Sequence, residues 1–125
     1  MESIKDKVAI IGMGCTKFGE NWDMDSKEMV IEAAYEAYED AGIGPEEIQA
    51  CYLGTASAPL IGIGGTVAAE ALKLRDIPII RNENWCATGH IAMIEAFIAV
   101  ASGVFDVVMA LGVEKLKDTG FPGLG

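Results

Sequence analysis

The chain has 125 residues, of which 51% are hydrophobic, and its 19 Asp and Glu against 9 Lys and Arg give a formal net charge of -10. That charge repels nucleic acid and anionic membrane surfaces, and no stretch approaches the ~18 consecutive apolar residues of a membrane span. One histidine, three cysteines without a CxxC spacing and no signal-peptide pattern at the start exclude a metal centre and a disulfide framework as the first reading and point to a cytoplasmic protein with reduced thiols.

The length is that of about one domain, and neither a repeat nor a low-complexity segment breaks it. Val8-Ala9-Ile10-Ile11 reads as a buried first strand, ended by Gly12-Met13-Gly14 and followed by a loop through Gly19. Asp25 with Glu28 three residues on forms a capping box for a helix whose apolar positions are Met29, Val30, Ala33, Ala34, Ala37 and Ala41, and Gly42 suits its left-handed stop. A second strand is expected over Ile48 to Leu53, and a helix from Gly65 to Leu74 after the glycine-rich Gly62 to Gly65. Gly12-Met13-Gly14 lacks the third glycine of a dinucleotide fingerprint, and Gly62 to Gly65 lacks the P-loop lysine, so both read as turns. Pro78-Ile79-Ile80 begins a third strand, and Val107 to Leu111 reads as a continuous buried strand of the parallel kind.

Between those last two strands lies a helix from Ala87 to Val100 in which only His90 and Glu95 interrupt the apolar surface. A helix apolar nearly all round is buried on both sides, and a chain of this size supplies at most one of the two sheets that would bury it. Cys86 stands at the start of this helix, where unpaired backbone N-H groups and the positive end of the dipole stabilise a thiolate. Parallel β-α units also place strand C-terminal ends on a common rim, where ligands of α/β sheets bind. Cys86 is therefore the candidate nucleophile. Cys15 and Cys51, beside or within strands, read as core fillers. His90, one helical turn from Cys86, reads as a satisfied polar group inside the buried helix, and Glu83 and Glu114 as residues that orient loops.

The segment Asn82-Glu83-Asn84-Trp85-Cys86-Ala87-Thr88-Gly89, the Ala-rich helix behind it and Gly112-Val113-Glu114 about 26 residues after the cysteine together resemble the nucleophile region of the thiolase superfamily. The resemblance is strongest to the sterol-carrier-protein-type thiolases, often called acetyl-CoA acetyltransferases. Val8 to Gly19 and the helix end Asp40-Ala41-Gly42-Ile43 fit as well, so it covers nearly the whole chain. It implies an α/β chain with a thiolase-like fold, the N-terminal half of a five-layer αβαβα architecture with a mixed, mostly parallel sheet. Residues 1–125 would form that N-terminal domain, with a loop region beginning near 115–125.

The implied activity is acyl transfer: Cys86 carries the acyl group of a 3-oxoacyl-CoA to coenzyme A, or the Claisen condensation runs in reverse. Coenzyme A is a co-substrate, and no cofactor is bound. Thr88 and Gly89 are the candidate oxyanion donors, and Glu83, Asn84, Trp85 and His90 are expected to shape the site. Trp85 stands where the family has a small residue, and His90 where it more often has an apolar or small one, which bears on the acyl group accepted. The activating histidine and the other proton-transfer residues belong to the second half. A homodimer paired through about Pro78 to Asn84 is implied, as is a small zinc-ribbon and OB-fold partner protein for some prokaryotic members. A non-catalytic acyl-CoA-binding or scaffold subunit, and a thiolase-like aldolase or ketosynthase, remain the alternatives; the retained cysteine favours catalysis.

Overall fold

The structure is a computed structural model in which residues 3–57 and 62–120 are described. Among the described residues three α-helices and three strands alternate: α1 (Ser26–Ala41), β1 (Ala50–Gly54), α2 (Gly65–Ala71), β2 (Ile79–Asn82), α3 (Thr88–Ala101) and β3 (Val108–Gly112). The strands form one sheet in the order β2-β1-β3, and both pairings are parallel. The mixed sheet expected from the resemblance is thus all-parallel among the described residues.

Local chemistry explains the helix ends. Asp25 accepts from the Glu28 N-H at 2.8 Å and Glu28 accepts from the Asp25 N-H at 2.7 Å, closing the capping box that starts α1. Gly42 stops the same helix at φ 71°, a conformation with little cost only for glycine. α2 is shorter than the apolar pattern suggests, because after Ala71 the chain turns through Lys73 and Asp76, both at positive φ.

The two faces of the sheet close differently. On one, Cys51 and Leu53 of β1 pack with Val30, Ala34 and Tyr38 of α1, Leu72 after α2, and Met109 and Leu111 of β3. On the other, Ala50 and Tyr52 meet Ala92, Ala96 and Ala99 of α3. The alternation of β1 residues between clusters is the period-2 geometry of a strand covered on both faces.

The N-terminal segment departs from expectation. Val8 to Ile11 joins no ladder among the described residues, and Ile10 and Ile11 are 68% and 55% exposed. A cleft of about 600 Å³ lies between Lys7 to Gly12 and the elements α1, α3 and β3, so β3 is out of hydrogen-bonding reach. The segment is tied instead to α1: the Met13 N-H donates to Asp40 Oδ2 at 2.9 Å and the Cys15 N-H to Glu36 Oε2 at 2.7 Å. Gly12 and Gly14 do not form a turn. They pass close against α1, where a Cβ would collide with the backbone of Ala33 and Ala37. Cys15, expected in the core, is consequently exposed, whereas Cys51 is buried as expected. No helix among the described residues is long and apolar enough to cross a membrane.

Candidate active site

The register aligns the strand C-terminal ends, with Gly54 opposite both Asn82 and Gly112, so three loops leave the sheet on one rim. Cross-loop bonds hold them together. Thr55 N-H donates to the Asn82 carbonyl at 3.3 Å, and Val113 N-H to the Gly54 carbonyl at 3.1 Å. The Arg81 guanidinium donates to the Thr55 carbonyl at 3.2 Å. Glu114 takes the orienting role read from its position: its carboxylate accepts from the N-H groups of Ala56 and, at 3.3 Å, Ser57.

Cys86 lies on this rim, exposed, in a single 3₁₀ turn (Trp85–Ala87) that joins the end of β2 to α3. The turn is braced from within. Glu83 Oε1 accepts from the Trp85 N-H at 2.5 Å. Thr88 Oγ1 accepts from the Asn84 N-H at 2.7 Å and donates to the Trp85 carbonyl at 2.6 Å. These bonds fix Trp85 at φ 46°, which is unfavourable for a bulky side chain and persists where surrounding contacts over-determine the backbone. The indole itself is 79% exposed.

Of the two expected oxyanion donors, Thr88 is 5% exposed and its N-H already donates to the Trp85 carbonyl, so its hydroxyl and amide serve the turn. Gly89 has open space where a side chain would be, next to the exposed thiol's helix start. His90 is exposed rather than buried within the helix, because it lies on the face of α3 turned away from the sheet, opposite the covered line of Thr88, Ala92, Ala96 and Ala99. The helix's outer face, with Met93, Ile94 and Ile98 exposed at 46%, 40% and 54%, is the side that the described residues do not cover.

Two contacts near the site carry no motif in the sequence. Gly54 meets α3 so closely that a Cβ there would stand 3.1 Å from Thr88 Cγ2 and from the Thr88 carbonyl oxygen. Asn82 Nδ2 donates to Glu95 Oε2 at 2.8 Å. A lone carboxylate in an otherwise apolar helix was the available signal for the second. Burial, and then the Glu95 carboxylate, raise the Tyr52 phenol above its ordinary pKa.

An all-parallel α/β sheet with an exposed thiol at a strand-to-helix rim defines the class, and solved structures agree on the fold. The chain superposes with a TM-score of 0.70 on 3-oxoacyl-[acyl-carrier-protein] synthase III from Aquifex aeolicus, at 21% identity, over 87% of this chain and 45% of that one. The fold is therefore thiolase-like. The family model for the thiolase N-terminal domain matches residues 8–120, and the chain belongs to that family. An acetyl-CoA acetyltransferase from Methanothermobacter thermautotrophicus is 44% identical over 115 residues, covering 89% of this chain and 30% of the relative. Sterol carrier protein 2 from Gallus gallus is 32% identical over 112 residues, covering 88% of this chain and 20% of the relative. The chain thus spans under a third of the length of these curated relatives.

Proposed function

We propose that this chain is the nucleophile-bearing part of a thiolase-type acyltransferase, in which Cys86 forms an acyl-enzyme during thiolytic cleavage or Claisen condensation of a 3-oxoacyl-CoA. The observation that carries the reading is the exposed Cys86 in its braced turn at the sheet rim, in a chain of the thiolase N-terminal family. In the cleavage direction the thiolate adds to the 3-oxo carbon. The C2–C3 bond then breaks, its electron pair stays on C2 of the departing acetyl-CoA, and C2 is protonated. The thiolate of coenzyme A next attacks the Cys86 thioester and releases the cysteine sulfur. Each addition creates an oxyanion that needs N-H donors. With the Thr88 amide engaged, Gly89 is the proposed donor of the pair. Proton transfer belongs to groups supplied by the remaining two thirds of a relative-length polypeptide.

Coenzyme A is read as co-substrate, and three free thiols suit a reducing, cytoplasmic setting. β2 ends the sheet order with one edge unpaired among the described residues, which supports a homodimer joined there; a small zinc-ribbon and OB-fold protein is the proposed further partner.

The test is an intact-mass measurement of the full-length protein with a short 3-oxoacyl-CoA, followed by peptide mapping. An acyl adduct on the Cys86 peptide is expected. Cys86→Ser should lower turnover about a thousandfold or more and leave folding stability within about 0.5 kcal/mol, since the side chain is exposed. Turnover near wild type in that variant rejects the assignment.

A further inference from the structure

The position of Cys86 depends on how α3 sits on the sheet, and packing fixes that position incompletely. The covered face of α3 presents Ala92, Ala96 and Ala99 to Ala50 and Tyr52. Alanine methyls let the helix approach closely but offer few ridges to stop it sliding or rotating. Gly54 against Thr88 limits how near the first turn can come, which sets a distance and leaves rotation free. A directional contact is needed to complete the placement, and one is present: the 2.8 Å bond from Asn82 Nδ2 to Glu95 Oε2.

We propose that Asn82 and Glu95 are positioning residues for Cys86: their side-chain hydrogen bond ties the last residue of β2 to the middle of α3 across the base of the thiol-bearing turn and fixes where the sulfur stands. The proposal rests on Cys86 being the reactive thiol of the function proposed above. Residues 83–87 span the interval between the two elements, so any slide of α3 relative to β2 is taken up in the turn that carries Cys86. Glu95 is the only charged residue of α3, and it is half-buried, facing the sheet. Withdrawing a carboxylate from water is unfavourable unless it accepts a hydrogen bond in return. The partner's orientation points the same way. Asn82 Oδ1 is buried with no hydrogen-bond partner among the described residues, so the bond through Nδ2 is what directs the amide. Neither residue touches the reacting atoms; both act through the turn.

The test uses the full-length protein and two readouts: the rate at which iodoacetamide alkylates Cys86, mapped by mass spectrometry, and steady-state acyl transfer. Glu95→Ala, which retains a strong helix former, should slow alkylation about threefold or more and lower kcat about tenfold while KM stays within about twofold. Glu95→Gln keeps an oxygen that accepts from Asn82 and should restore both rates to within about twofold of wild type. Asn82→Ala should reproduce Glu95→Ala, and the double variant should be no worse than either single one. It also carries the test if Glu95→Ala does not fold. Wild-type alkylation in Glu95→Ala or Asn82→Ala overturns the proposal, even where the melting temperature falls, because a merely structural contact would lower stability without changing thiol reactivity. Additive effects in the double variant, or failure of Glu95→Gln to rescue, overturn it as well. A wild-type protein that transfers no acyl group, but whose Cys86 alkylation follows this pattern, rejects the acyltransferase reading and upholds the tie.

Discussion

The two faces of one three-stranded sheet are closed by opposite means. Beneath α1 and α2 the contacts are made by large side chains, with Leu53, Ile63, Leu72 and Val30 all nearly inaccessible to solvent. Beneath α3 the helix contributes alanines, Ala92, Ala96 and Ala99, which meet Ala50 and Tyr52. Interdigitated large residues give strong burial and a unique fit, whereas a small-residue seam gives proximity with little intrinsic register. The first face therefore carries the stability of the unit, and the second determines how the helix that follows Cys86 is set against the sheet. The same division separates the thiols: Cys51 is sealed in the first face and Cys86 stands open at the end of the second.

The comparison can be broken most directly on the large-residue face. Leu53→Ala in the full-length protein should lower unfolding free energy by about 3 kcal/mol in denaturant titration, through lost burial and the cavity left behind. Cys86 alkylation in the surviving folded fraction should stay unchanged, and a matching change in thiol reactivity would show that the faces are not separable. Enlarging the other face sharpens the contrast. Ala92→Leu, at a position 1% exposed, should cost about 2 kcal/mol by overpacking and also alter the Cys86 alkylation rate, because α3 must lift from Tyr52 and Ala50. A neutral result there would show that the alanines do not set the spacing.

The smallest effect concerns pH. Burial pushes the Cys51 thiol from an ordinary 9.0 up to about 12, and burial first of all also raises Tyr38 and Tyr52. The folded state thus holds these protons more tightly than the unfolded chain. The Cys51 contribution to stability is present below about pH 9 and is lost as the pH rises toward about 12, with a slope of about 1.4 kcal/mol per pH unit. Denaturant midpoints should fall between about pH 8 and pH 10.5, and Cys51→Ala should flatten part of that fall. An equally steep fall in the variant would remove Cys51 from the account.

Much of this was legible in the sequence where the chemistry is local. Asp25, Glu28 and Gly42 announce the limits of α1 because capping and a left-handed stop need only neighbouring residues. The apolar runs at Ile79 and Val107 locate β2 and β3 to within a residue or two, and the placement of Cys86 between strand and helix follows from the same pattern. What was not legible depends on partners distant in sequence. Val8 to Ile11 has a strand's composition, but a ladder requires an adjacent edge, and none reaches it among the described residues. His90 sits on a helix whose apolar surface suggests burial, yet it falls on the face turned away from the sheet. The engagement of the Thr88 amide and the Asn82–Glu95 bond are matters of three-dimensional register that no spacing rule encodes.

The uncovered side of α3 has a consequence for how the protein is made. Where an N-terminal domain of this family is translated ahead of further sequence, it leaves the ribosome first, and folding proceeds in that order. During that interval Met93, Ile94 and Ile98, together with Ile10, Ile11 and Phe18, face water. Nascent chains carrying such surface on neighbouring ribosomes would adhere to one another. The net charge of -10, spread over a segment this short, supplies mutual repulsion during the same seconds and so acts as a solubility tag that needs no separate sequence.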